Sequence, residues 1–197
     1  MKQFIVSIGR EYGSGGRVIA YKLAELLNVK VYDKNMIKYI SEEKNLDFEK
    51  FKKYDEKPRN PLLSRSVDGY SNSPEDVIAQ MQFDFLKQHA EAGESFIALG
   101  RCASYVLKDN PNLIPIFVTG DMNAKIRRIC DVENLPADLA CELIQKNNKK
   151  RKSYHNRYSK DKWGDSRYYD LVINTSKLGI DATGDILYEY VKKRIEK

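Results

Sequence analysis

Cysteine is scarce in this chain. Cys102, Cys130 and Cys141 are the only three in 197 residues, and they are widely spaced. An odd number at that spacing excludes a disulfide framework and the usual zinc-binding patterns, and free thiols in a reducing compartment are the expectation. Histidine is scarcer still: His89 and His155 are the only two. That excludes a histidine-rich metal site or a paired-histidine base, and surface positions are expected for both. Glycine and proline number 11 and 6, too few for a collagenous or low-complexity chain. No apolar run approaches the roughly 18 residues needed to cross a bilayer. The N-terminal Met1–Ile8 segment lacks a signal-peptide cleavage site and runs directly into glycine-rich sequence. A cytoplasmic protein with no membrane partner is the expectation.

What is present suits one packed core. Hydrophobic residues make up 42% of the chain, and Lys plus Arg exceed Asp plus Glu by 34 to 28, a net charge of +6. The excess suggests an anionic partner without choosing between nucleic acid and a phosphorylated small molecule. Five β-type runs are visible at Phe4–Ile8, Val29–Asp33, Ser95–Gly100, Ile114–Gly120 and Tyr169–Thr175. Most are nearly continuous apolar runs, as in parallel strands covered on both faces. Between them lie helical patterns: Val18 to Leu27, a helix opening at Pro74 with Ser73 as its cap, Ala124 to Cys130, a helix opening at Leu135-Pro136, and Asp181 to Ile195. Repeated alternation of strand and helix predicts an α/β domain with a parallel sheet. Residues 55–73, rich in turn formers, read as a loop on that core.

The first strand leads into Gly9-Arg10-Glu11-Tyr12-Gly13-Ser14-Gly15-Gly16-Arg17 and then a helix. Glycines let backbone N–H groups converge, and the helix start adds roughly half a positive charge, so the turn is built for anions. A standard phosphate loop carries Lys and then Ser or Thr after its last required glycine. Here Gly16 and Arg17 follow Gly15 instead. Arg17 can supply the lysine's charge through a planar fork that suits phosphate oxygens, but the hydroxyl that usually binds magnesium is missing.

Together with Leu99-Gly100-Arg101-Cys102-Ala103, Lys162-Trp163-Gly164-Asp165 and Tyr169-Asp170-Leu171-Val172-Ile173-Asn174-Thr175, this turn resembles the cytidylate kinase-like family of P-loop kinases. The resemblance implies a three-layer sandwich around a five-stranded parallel sheet, with a helical basic lid. The domain would span residues 1–197 as one unit, with an acceptor-binding insertion at about 34–92 and the lid at about 136–167. It implies ATP and Mg2+, and transfer of the γ-phosphoryl group to a monophosphate such as CMP or dCMP. Donor phosphates would sit on Gly13, Ser14, Gly15, Gly16, Arg17 and Val18, and the adenine against Thr175, Ser176 and Lys177. No protein-held metal site is implied.

Lys146, Lys149, Lys150, Arg151, Lys152, Arg157, Lys160 and Lys162 fall within seventeen residues, opposed by Asp161 alone. Such density repels itself unless an anion or solvent screens it. Phosphoryl transfer supplies a use, because charge on the equatorial oxygens is stabilised by closing arginines. Arg151 and Arg157 are the catalytic candidates there. Tyr154 and Tyr158 interleave the same stretch, which would also suit nucleic acid, although no recognised motif accompanies it.

Asp33, at the end of the second strand, fits an acceptor- or magnesium-facing carboxylate, or the N-cap of the next helix. Arg101, after the third strand, fits a ligand for the acceptor phosphate, or a salt bridge to Asp33 or Glu11. Arg59 and Arg65 are weaker acceptor candidates, and Trp163 is expected to pack the base of the lid. Two alternatives stay open: a kinase for another small acceptor on this fold, and a non-catalytic nucleotide- or nucleic-acid-binding module. Monomer and homodimer are equally compatible with the sequence.

Overall fold

The computed structural model describes residues 2–45, 66–67, 70–71 and 73–196. Strand β1 (Ile5–Arg10) leads to helix α1 (Gly16–Leu27), β2 (Lys30–Tyr32) and α2 (Met36–Lys44). A separate two-stranded hairpin, β3 (Ser66–Val67) and β4 (Tyr70–Ser71), precedes α3 (Pro74–Glu91). Then come β5 (Phe96–Leu99), the short α4 (Ala103–Val106), β6 (Leu113–Thr119), α5 (Met122–Glu133) and α6 (Ala137–Tyr158). A 3-10 turn (Ser166–Tyr168), β7 (Leu171–Asn174) and α7 (Gly179–Ile195) complete the chain.

All five strands of the main sheet run parallel, in the order β2-β5-β1-β6-β7. Each expected strand is there. β1 runs two residues further than its apolar pattern, so that Arg10 pairs in register with Val118. β1 is central: the chain leaves it for β2 on one side, returns to β5 beside it, and then crosses to β6 on the other side. The crevice at the carboxyl end of such a strand is where open α/β sheets bind ligands.

Both sheet faces are covered. On one, Val6, Ile8, Ile97, Leu99, Ile116 and Val118 pack against Ile19 and Leu23 of α1 and Leu187 and Val191 of α7. On the other, Ile5, Phe96 and Ala98 meet Met36 and Ile40 of α2 and Phe85 and Leu86 of α3. The sheet is thus the middle of three layers, as the resemblance implies. Ser73 caps α3 as expected, its Oγ accepting from the Asp76 N–H at 3.2 Å. Asparagines, which tolerate the left-handed region, close α1, α2 and α5 at Asn28, Asn45 and Asn134.

The structure adds to or changes several expectations. Helices α2 and α4 were not apparent from the periodicity. The basic stretch continues α6 as regular helix to Tyr158. Much of the 55–73 loop, with Arg59 and Arg65, lies outside the described residues.

Neither histidine is on the surface. His155 is buried, with α6 lying against the turn that carries Cys102. His89 is half-buried, its Nδ1 paired with Glu94 and within 3.3 Å of the Tyr32 hydroxyl. Helix packing on the β5 side of the sheet, not side-chain polarity, decides both.

Ile116 is fully enclosed between the two helical layers. Ile116→Ala should cost about 2–5 kcal/mol in urea unfolding, whereas Leu26→Ala, at a 47% exposed position, should stay within about 0.5 kcal/mol.

Candidate active site

The glycine-rich turn folds back on itself beyond β1. Glu11 N–H donates to the Val118 carbonyl at 3.0 Å, and the Ser14 hydroxyl donates to the Glu11 carbonyl at 2.9 Å. Gly13 and Gly15 take φ of 82° and 79°. Both are also crowded: a Cβ on Gly13 would lie 3.0 Å from Lys125 Cβ, and one on Gly15 would lie 2.5 Å from Ile180. Only glycine satisfies both the backbone and the space at these positions.

Glu11 clamps this turn to the β6–α5 junction. One carboxylate oxygen accepts from Thr119 Oγ1 at 2.7 Å, Gly120 N–H at 3.2 Å and Lys125 Nζ at 2.7 Å. Burial alone would raise this carboxyl, but the hydrogen bonds from Lys125 and Thr119 outweigh it and hold the group below its usual 4.5. Lys125 is itself buried, so each charge depends on the other.

The mouth of the turn opens on a cleft of about 430 Å³. Gly13, Gly15, Gly16, Arg17 and Val18 line it, together with Asp33, Arg101 and Arg151. Residues from four separated segments therefore meet there. Asp33 is buried; its carboxylate accepts from Asn35 N–H at 2.8 Å and Tyr21 Oη at 3.1 Å, and lies 3.7 Å from Arg17. The N-cap of α2 is Asn35, not Asp33. Arg17 also stacks over the Tyr21 ring at 5.6 Å, and its side chain is 59% exposed.

Arg101 is buried in a run of three left-handed residues, Gly100, Arg101 and Cys102, with φ of 79°, 57° and 53°. Holding the two non-glycine residues there costs about 1–2 kcal/mol each, a strain of the kind concentrated at functional sites. Arg151 Nη1 donates to the Arg10 carbonyl at 3.2 Å and its guanidinium lies over the Tyr12 ring at 5.3 Å.

The remaining candidates lie elsewhere. Arg157 does not line this cleft: its guanidinium pairs with Asp76 at the start of α3 at 2.5 Å, beside the Tyr158 hydroxyl, which reaches the same carboxylate at 2.6 Å. Ser14 is buried inside the turn. Thr175 Oγ1 donates to the Ser14 carbonyl at 2.9 Å, Ser176 Oγ accepts from Asp121 N–H at 2.7 Å, and Lys177 Nζ pairs with Asp121 at 3.0 Å. This loop is thus tied to the glycine turn and to the end of β6. Trp163 packs edge-on against Phe117 of β6 at 5.3 Å.

Arg10 and Arg128 also line the cleft. The sequence pattern points to neither, although Arg10 lies within the glycine-rich turn's motif. A larger concavity of about 1370 Å³ runs beside α1 and β2 and shares only Arg17, Val18 and Asp33 with the cleft. It lacks the glycine turn and the buried Arg101.

The sequence pattern of the cytidylate kinase-like family matches residues 5–177. This chain belongs to that family. It is 27% identical to the cytidylate kinase of Methanopyrus kandleri over 203 residues, covering 98% of this chain and 95% of that protein. It is also 27% identical to the cytidylate kinase of Methanocaldococcus jannaschii, covering 93% and 94%. An uncharacterized protein from Eubacterium ventriosum superposes with a TM-score of 0.76 at 34% identity, covering 96% of this chain and 99% of that one. The shikimate kinase of Bacteroides thetaiotaomicron superposes at 0.54 with 14% identity over 98% and 99% of the chains, a likeness of fold alone. Family and fold make the chain a nucleotide kinase. No helix among the described residues is long and apolar enough to cross a membrane.

Because the Glu11 carboxyl is depressed in the folded state, its contribution to stability is complete above pH 4.5 and is lost as pH falls through the lower folded value. Glu11→Gln should destabilise the kinase by about 1–3 kcal/mol at neutral pH. The gap to wild type should close in denaturant titrations carried out progressively below pH 4.5.

Proposed function

We propose that this nucleotide kinase moves the γ-phosphoryl group of ATP to CMP or dCMP. An oxygen of the acceptor phosphate bonds to the γ-phosphorus as the bond to the β,γ-bridging oxygen breaks, and the electron pair leaves with ADP. No protein nucleophile takes part, because catalysis is positioning plus stabilisation of charge on the transferring group. The observation that carries the reading is the arrival of Arg101 from the turn after β5 and Arg151 from α6 at the mouth of the glycine turn.

In this reading the turn from Gly13 to Val18 holds the donor phosphates, and the Thr175–Lys177 loop borders the adenine. Arg101 holds the acceptor phosphate. Arg151 neutralises charge between the two, and Arg17 and Asp33 border the acceptor side. The chain works as one domain, with residues 34–92 as its acceptor segment and 136–167 as its lid. Arg157 serves the lid through its pair with Asp76.

Magnesium enters with ATP. Among the described residues no group of three or more His, Cys, Asp or Glu could hold a metal, and the usual hydroxyl position is Arg17. Magnesium bound to nucleotide phosphates keeps several waters and needs only one or two carboxylates; Asp33, buried at the edge of the cleft, fits that requirement. The ion would neutralise β- and γ-oxygen charge, while the chain's own residues orient the substrates and exclude water.

With γ-labelled ATP and magnesium, label should pass in multiple turnovers to CMP and dCMP in preference to UMP, AMP and shikimate. Turnover on shikimate or another non-nucleotide alone, or tight nucleotide binding without turnover, would contradict the assignment. Arg101→Ala should lower kcat/KM roughly 10- to 150-fold, chiefly through the acceptor KM, as expected for losing charged hydrogen bonds of about 1.5–3 kcal/mol.

A further inference from the structure

The phosphate loop pattern G-x-x-x-x-G-K-[ST] places glycine first and lysine seventh. Set on this chain with Gly15 as the second glycine, the first position is Arg10 and the seventh is Gly16. The two positions have exchanged character: the cation stands where glycine is usual, and glycine stands where the cation is usual.

The structure shows what the exchange does in space. Gly16 has no left-handed φ, so its backbone does not require glycine. Its requirement is room. A Cβ there would lie 2.7 Å from Arg10 Cβ and 3.2 Å from Arg10 Cγ. The stem of Arg10 thus fills the space into which a side chain at 16 would start. At its other end the same side chain passes Gly100, where a Cβ would lie 2.0 Å from Arg10 Nη1. The side chain therefore spans from the start of α1, where its stem lies, to the strained turn that carries Arg101, where its guanidinium lies, and Arg10 lines the cleft. Arg151 secures its backbone through the hydrogen bond to the Arg10 carbonyl.

We infer that Arg10 takes the place of the missing phosphate-loop lysine and binds the β- and γ-phosphate oxygens of the donor. The inference rests on the kinase reading above and deepens it. It moves the lysine's part from Arg17, whose guanidinium is exposed beside Asp33, to a side chain fixed between two glycines. A guanidinium offers two parallel donors to non-bridging oxygens, where a lysine offers a point charge. Fixed placement also means little side-chain freedom is lost when the phosphates arrive.

Arg10→Gln keeps the start of the stem and a donor on a shorter side chain but removes the charge. Circular dichroism and thermal melting would confirm its fold, and binding of ATP and AMP would be measured for wild type and variant together with turnover. We expect kcat to fall about a hundredfold or more, and the preference for ATP over AMP to fall at least about tenfold. A purely structural role would lower the melting temperature and leave that preference intact.

The second arm restores the ordinary glycine and lysine positions: Arg10→Gly/Gly16→Lys should regain at least about tenfold in kcat over Arg10→Gly, because the two closest contacts at position 16 are then gone and only Val118 Cβ, at 3.3 Å, remains. If wild type binds ATP and turns over, yet Arg10→Gln keeps both kcat and ATP preference within about threefold, the Arg10 assignment is overturned while the kinase reading stands. Should Arg10→Gln not fold, failure of the double variant to exceed Arg10→Gly overturns it instead. If wild type binds no ATP, both fall.

Discussion

Several guanidinium groups facing one small space repel each other, and the local architecture follows from keeping them there. Arg10, Arg17, Arg101, Arg128 and Arg151 all border a cleft of about 430 Å³. In a partly enclosed site such like charges interact far more strongly than in bulk water. The fold meets this in two ways. It supplies local acceptors: Asp33 beside Arg17, and the Arg10 carbonyl beneath Arg151. It also fixes backbones that would otherwise relax, most visibly at Gly100-Arg101-Cys102, where three successive left-handed residues hold Arg101 buried. A polyphosphate entering such a site relieves the repulsion already built into it, which is electrostatic preorganisation in its simplest form.

The clamp around Glu11 shows how a carboxylate inside the glycine turn is occupied by its own partners. Glu11 belongs to the glycine turn, yet its charge is spent on Thr119, Gly120 and the buried Lys125. It therefore ties the turn to α5 instead of opposing the anion. The Thr175–Lys177 loop is secured to the same turn through the Thr175 hydroxyl and the Ser14 carbonyl. Elements from three regions of sequence are thereby tied together around the glycine turn, while Arg101 follows β5 and Arg151 comes from α6.

The sheet was legible because strands buried on both faces are written as unbroken apolar runs: Ile5-Val6-Ser7-Ile8 and Phe96-Ile97-Ala98-Leu99 need no partner to be read. The glycine turn was legible from its strand-then-helix context. Helix α2 was not, since its buried Met36, Ile37 and Ile40 are few and its remaining surface is polar. The surface placement expected for His89 and His155 failed because polarity says nothing of which helix lies above a residue. Arg157 sat at the right spacing in a basic helix, but a carboxylate on α3, Asp76, was not visible as its partner. Arg10 was missed for a different reason. Its importance lies in what Gly16 and Gly100 lack, and an absent side chain acquires meaning only when the neighbour filling its space is known.

The most direct test of the central claim is a crystal structure with a bisubstrate analogue in which adenosine and cytidine are joined by a phosphate chain. The account predicts that the chain lies across the turn from Gly13 to Gly16, with Arg101 and Arg151 on its oxygens. An analogue bound instead along α1 and β2, or phosphates that leave Arg101 and Arg151 without contact, would contradict it.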